Sequence, residues 1–348
     1  MKLRNAIAVM LVTVLCATAL VGCTPAATGA PTDTGGEDRV ITVGFSQIGA
    51  EADWRVGHTN SIMRALEGEG HQVIFNDAQG QQQNQIQAIR DFITQGVDYI
   101  VMAPVVATGW DPVMREVRES GIPFILVDRP IEMPNVEDYV VQLITNDVVS
   151  EGVRAAEWLI DYLEYRGRSG ENINIVELQG SVGTTPAIGR AEGFRRGIAD
   201  HPNLQITQSQ TAEWSADLGL VVMEAFLARA HAENEPIHVV YSHSDGQTMG
   251  AIQAIRDAGL NPGVDIIVVS NDGGRAAFEV IMAGDMNVTV EASPDQGPLV
   301  AQTIRDLEAG RTVERLLMDE VRVFDEVLSG VFPDRYLNTT EHIDGRVF

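Results

Sequence analysis

The residues able to do chemistry in this 348-residue chain stand directly after short apolar runs. The run 40–46 leads into Gln47 and a loop carrying Trp54 and Arg55, and the run 123–128 ends in Asp128-Arg129. Further along come Gln179-Gly180 with Arg190 beyond a Gly/Thr loop, then Trp214, His243-Ser244-Asp245, Asn271-Asp272-Gly273 and Glu291. Carboxylates accept hydrogen bonds from paired hydroxyls, and Arg offers a rigid fork of donors. An indole face covers the apolar C–H face of a sugar ring. Two Trp, three Arg and several carboxylates together make a carbohydrate clamp. Taken singly, each has a plainer reading: a solvated Asp-Arg pair, an Asn-Asp-Gly turn, a half-buried Trp, an exposed helical Arg190. Their shared position at the ends of apolar runs favours the clamp.

Other chemistries lack their parts. Ser242, His243 and Asp245 are near neighbours on one strand and its exit, where side chains alternate between faces, so they form no relay. No G-x-S-x-G elbow is present. No phosphate-binding loop follows a strand, so nucleotide cofactors are not expected. His238 and His243 make no convincing metal pair, and neither a cofactor nor a metal is expected. Asn338-Thr339-Thr340 fits a glycosylation acceptor but carries little weight beside the bacterial-type lipidation signal expected at Cys23. A sugar-processing enzyme would need an acid and a base about 5–10 Å apart. Asp128 with Asp272 or Glu291 are the candidates, but a neighbouring Arg is expected to keep each ionised, which disfavours a general acid. No catalytic residue is assigned.

The elements that must position these residues follow from periodicity. Apolar, β-branched runs at 40–46, 72–77, 98–103, 123–128 and 139–145 are expected strands, followed by a second series at 173–178, 204–210, 237–242, 265–270 and 287–291. Amphipathic stretches lie between them. In 186–199, Ala187, Ala191, Phe194 and Ile198 recur at helical spacing. Nearly continuous apolar strands alternating with helices predict an α/β fold of parallel sheets covered on both faces. Two series predict two doubly wound lobes joined by a multi-strand hinge. The expected lobes are 39–146 with 294–318, and 147–293 with 319–348, although 324–348 matches none of the repeating units. Ligands in such sheets bind beyond the carboxyl ends of the strands, so the two lobes would share one cleft.

The start of the chain gives the compartment. Lys2 and Arg4 precede an apolar run at 6–21, then Val21-Gly22-Cys23. This reads as an export leader over 1–22, too short for a comfortable membrane span. Cys23 is the expected lipidation site, anchoring the chain in a membrane through a Gly- and Pro-rich tether over 23–38. The expected location is the outer face of the cytoplasmic membrane or the periplasm. Cys16 and Cys23 are the only cysteines, so the body carries no disulfide. A net charge of −25 argues against a nucleic-acid partner.

The residues also carry a family likeness, in VGFSQIGAEADWR (43–55), NQIQAIRDFITQGVDYIVMAPVVATGW (84–110), LVDRPI (126–131), VELQGSVGTTPAIGRAEGF (176–194), GAIQAIRDAGLNPG (250–263) and SNDG (270–273). From about 40 to 323 the chain resembles the periplasmic sugar-binding proteins of the ribose-binding type, and within them the galactofuranose-binding branch. The resemblance implies a monomer that closes on a monosaccharide and delivers it to an ABC transporter permease; a sugar-sensing partner of a membrane receptor would use the same fold. It assigns sugar contacts to Trp54, Arg55, Asp128, Arg129, Arg190, Trp214 and Asp272. Two positions depart. Ser244 stands where relatives have Asn. Ala292 stands where ribose-binding members have Gln, with Glu291 beside it as in the galactofuranose branch. Both departures speak against ribose; the ligand the resemblance implies is galactofuranose-like or a related hexose or pentose.

Overall fold

The computed structural model describes residues 39–50 and 52–346. The expected leader 1–22, tether 23–38 and lipidated Cys23 lie outside the described residues. The chain runs β1 (Thr42–Gln47), α1 (Asp53–Gly68), β2 (Gln72–Asp77), α2 (Gln82–Gln95), β3 (Tyr99–Met102), α3 (Asp111–Ser120), β4 (Phe124–Asp128) and β5 (Gln142–Asn146). It then forms α4 (Val148–Tyr165), β6 (Ile173–Gln179), α5 (Thr185–Gly197), β7 (Leu204–Thr211), α6 (Ala216–Glu233), β8 (Val239–Ser242), α7 (Asp245–Asp257), β9 (Ile267–Asp272), α8 (Arg275–Ala283) and β10 (Val288–Glu291). Last come α9 (Gly297–Glu308), β11 (Leu316–Asp319), β12 (Val323–Phe324) and the short α10 (Thr339–His342).

Two six-stranded sheets result, with orders β11-β5-β4-β3-β1-β2 and β12-β10-β9-β8-β6-β7. Every pairing is parallel except β10 with β12. Each sheet has a core on both faces, as its near-continuous apolar strands require. In the first lobe, Val43, Phe45, Val101 and Ile125 meet α1 and α9 through Ile62, Leu66, Val300 and Ile304. Ile100, Met102 and Leu126 meet α2 and α3 through Ile89, Phe92, Val113 and Met114 on the other face. The second lobe repeats the arrangement, with α4 and α5 on one face and α6, α7 and α8 on the other.

A strand overlaps every run expected to form one. The chain passes between sheets three times: after β5, after β10 and after β11. The last crossing corrects the expected boundary, because Asp319 ends β11 in the first sheet rather than starting the second lobe. The segment beyond β12 packs on the second lobe, where Leu328 and Tyr336 join the core.

Candidate functional site

A cavity of about 380 Å³ lies between the carboxyl ends of the two sheets. Six helices, α1, α4, α5, α6, α7 and α8, begin at its wall.

On the first wall, Asp128 ends β4 at φ 66°, a left-handed conformation that side chains rarely adopt and that local contacts must hold. Its N–H donates to Gln296 Oε1 at 3.1 Å. Its carboxylate pairs with Arg55 at 2.7 Å and Arg129 at 3.2 Å. Burial pushes the Asp128 carboxyl up, but the Arg55 and Arg129 charges outweigh this and hold it below its ordinary value. Asp128 is therefore an anion with two cations already arranged around it. Trp54, in the first turn of α1, donates its indole N–H to the Ala292 carbonyl at 2.6 Å, on the second crossing. Its ring stacks on His58, centroids 5.2 Å apart at 13°.

Gln47 is not on the cavity wall. Its Oε1 accepts from the Ile48 N–H at 2.9 Å and Arg55 Nη1 at 3.4 Å, so its amide nitrogen faces His58 Nδ1 and Thr59. With Nδ1 accepting, the proton of neutral His58 sits on Nε2 and is donated to Gln296 Oε1 at 3.0 Å. Burial, then Arg55, lower the His58 pKa to about 4. The expected ligand contact Gln47 is thus a support for Arg55 and for the imidazole beneath Trp54.

The second wall is centred on Arg190, an expected contact, which is only 4% accessible. Its Nε pairs with Glu151 at 2.6 Å, its Nη2 with Asp272 at 3.2 Å, and its Nη1 donates to the His243 carbonyl. Asp272 has φ 118° and Trp214 φ 64°. Trp214 lies over Gly180, where any Cβ would overlap the indole ring. Ser244 lines the wall, and its hydroxyl accepts from the Gln247 N–H as the cap of α7.

The expectation that a neighbouring Arg governs each carboxyl alike is corrected: Arg190 offsets the burial of Asp272 less fully than Arg55 and Arg129 offset that of Asp128. Burial pushes the Asp272 carboxyl well up, Arg190 only partly offsets this, and Asp245 beside it pushes the same way. Asp245 is itself buried and raised, and accepts from Ser270, Thr289 and the Gly274 N–H at 2.6, 2.9 and 2.8 Å.

Glu291, the other expected contact, is also absent from the cavity wall. It is turned to Arg322 and Arg346. The wall also includes Asp245, named among the strand-end candidates but not assigned as a contact, and Asn146, Met249 and Arg275, which the sequence did not single out. Asn146 and Arg275 carried a usable signal, being the polar end of β5 and the residue after Asn271-Asp272-Gly273-Gly274. Met249 lies inside α7 and gave none. Of the expected residues, Trp54, Arg55, Asp128, Arg129, Arg190, Trp214, Ser244 and Asp272 are brought together. Indoles from opposite walls and buried donors and acceptors of both signs suit a neutral polyhydroxyl ring.

Residues 43–312 match the periplasmic binding protein domain family. The chain is 39% identical to the Galactofuranose-binding protein YtfQ of Escherichia coli (strain K12) over 285 residues, 82% of this chain and 87% of that protein. A crystal structure of a galactofuranose binding protein is similar at 36% identity and TM-score 0.78, covering 88% of this chain and 98% of that one. The periplasmic binding protein component of the arabinose ABC transporter from Shewanella sp. ANA-3, bound to alpha and beta-L-arabinofuranose, is similar at 40% identity and TM-score 0.77, covering 84% and 94%. By the span of that match and the level of these identities, the chain belongs to the periplasmic binding protein domain family.

Proposed function

We propose that this chain is an extracytoplasmic, lipid-anchored solute-binding protein that captures a monosaccharide in its interlobe cleft and delivers it to an ABC transporter permease. The observation that carries this is the opposed pair Trp54 and Trp214 flanking the Asp128–Arg55–Arg129 and Arg190–Asp272 clusters. A sugar touching both walls favours the closed arrangement, because only there are all its contacts made. The two similar structures are named for galactofuranose and arabinofuranose binding, so a five-membered ring is the favoured ligand form. Ribose is disfavoured by Ser244 and Ala292. The contacts are Trp54, Arg55, Asp128, Arg129, Arg190, Trp214, Ser244 and Asp272, with Gln47 and Glu291 behind them. Cys23 is the lipid anchor that keeps the chain at the outer face of the membrane as a monomer, and the lobes are divided at the three crossings.

A thermal-shift and calorimetric screen of the Cys23→Ser chain, which is not acylated, tests this against galactose, arabinose, ribose, fructose and a galactofuranoside. A ligand at a hundred times its Kd adds ~2.7 kcal/mol of stability. The reading holds if one sugar stabilises the protein, is recovered unchanged, and loses its effect in Asp128→Ala and Arg190→Ala. One alternative is a sugar-processing enzyme that uses Asp128 and Asp272: the Arg55 and Arg129 charges push the first carboxyl down while burial pushes the second up, the opposite directions an acid–base pair uses. Consumption of the sugar in the same assay would establish that enzyme reading and overturn the binding one.

A further inference from the structure

The segment beyond β12 ends against the cleft from behind. Its last described turn, Ile343–Gly345, brings Arg346 to a site where its side chain is 8% accessible. The guanidinium carbon lies 4.4 Å from the centre of the Phe278 ring and 4.3 Å from that of Phe324. Its Nη1 donates to the Gly273 carbonyl at 3.3 Å and pairs with Glu291. Just before it, the Ile343 carbonyl accepts from Arg275 Nη1 at 3.2 Å. Ile343 and Arg346 therefore hold two residues close to Asp272 in the chain, Arg275 through a backbone carbonyl and Gly273 through a side chain.

A guanidinium withdrawn from water is costly unless its donors are matched. The groups it reaches explain its position. Asp272, with φ 118°, holds a conformation that persists only when its surroundings over-determine it. The N–H groups of Gly273 and Gly274 are held by Thr289 Oγ1 at 3.1 Å and Asp245 Oδ2 at 2.8 Å. Arg346 takes the Gly273 carbonyl and, through Glu291, the end of β10. The next residue, Ala292, is the one whose carbonyl receives the Trp54 indole.

We infer that Arg346 is a positioning residue of the cleft: it fixes the Asp272–Arg275 turn in the form the ligand meets, without standing on the cavity wall itself. The effect on binding rests on the sugar-cleft reading above; the effect on the turn does not. The test uses Arg346→Gln and Arg346→Lys in the full Cys23→Ser chain, with hydrogen exchange of the free protein and calorimetric titration with D-galactose equilibrated in water. Arg346→Gln is expected to speed exchange at 273–276 by about tenfold or more while β8 amides at 239–242 stay unchanged. It is expected to weaken galactose binding by about tenfold, as loss of a supporting contact behind a site does. Arg346→Lys keeps the charge facing Glu291 but not the fork, and is expected to recover part of both. Unchanged exchange at 273–276 overturns the inference, as does faster exchange spread evenly through the lobe, which marks a merely stabilising residue. If wild type binds no sugar and the turn still loosens, the sugar reading falls and the positioning role stands. If galactose binds and neither readout responds, the positioning role alone falls.

Discussion

Gly180 shows how closely single residues are fitted at the cleft, since its missing side chain is what lets Trp214 lie on the wall. Gly180→Ala is expected to displace the indole and weaken sugar binding by about tenfold, roughly 1.4 kcal/mol, read by calorimetric titration. His58 gives a pH-dependent expectation. Its folded pKa of about 4 lies below the ordinary 6.5 because of burial and then Arg55. Between those values the unfolded chain binds a proton that the folded chain refuses. The contribution of His58 is therefore complete above pH 6.5 and falls as pH drops through the window, by at most about 3 kcal/mol. Denaturant unfolding at pH 7 and 4.5 should show a larger loss in wild type than in His58→Gln; equal losses would place the acid sensitivity elsewhere. The residue types of the site were legible because they close apolar runs. The direction of each side chain was not. Gln47 and Glu291 also end strands, yet one turns to His58 and the other to Arg322 and Arg346, 31 and 55 positions away.

At the scale of elements, α4 and α5 touch backbone to backbone. A Cβ at Gly193 would overlap the Val149 carbonyl, and one at Gly152 the Arg190 carbonyl. This contact sets the Glu151–Arg190 pair that crosses between the two helices. Gly193→Ala is expected to spread them and cost about 1–3 kcal/mol. Gly68→Ala, with nothing within 4 Å, is the control and should be neutral or stabilising by up to about 1 kcal/mol in the same unfolding experiment. The strand–helix alternation was readable because strands buried on both faces leave unbroken apolar runs. β11 left no such trace, since Leu316 and Met318 are 46% and 53% exposed. β12 has only two residues, too few for a pattern, and the segment after it is held by distant partners such as Trp158 with Asp325.

For the whole molecule, two lobes were legible from two strand series, and the first two crossings from the polar segment after β5 and the Pro294 segment. The exact third crossing was not, because no apolar run marks it. The buried ion pairs of the cleft are shielded from solvent ions, and a sugar brings no charge of its own. Raising NaCl from about 50 to 500 mM should therefore change the sugar Kd by less than about twofold. A steep salt dependence would instead indicate a charged ligand. Six helix N-termini, each with positive partial charge, face one hollow inside a chain whose net charge is −25. A uronate or sugar phosphate is opposed at long range by the outer surface before it can reach that hollow. A small cation drawn to the surface meets these positive helix ends once inside, where the Arg55, Arg129 and Arg190 charges are already paired with carboxylates. The two opposite fields act in series as a charge sieve, and an uncharged solute is what passes both.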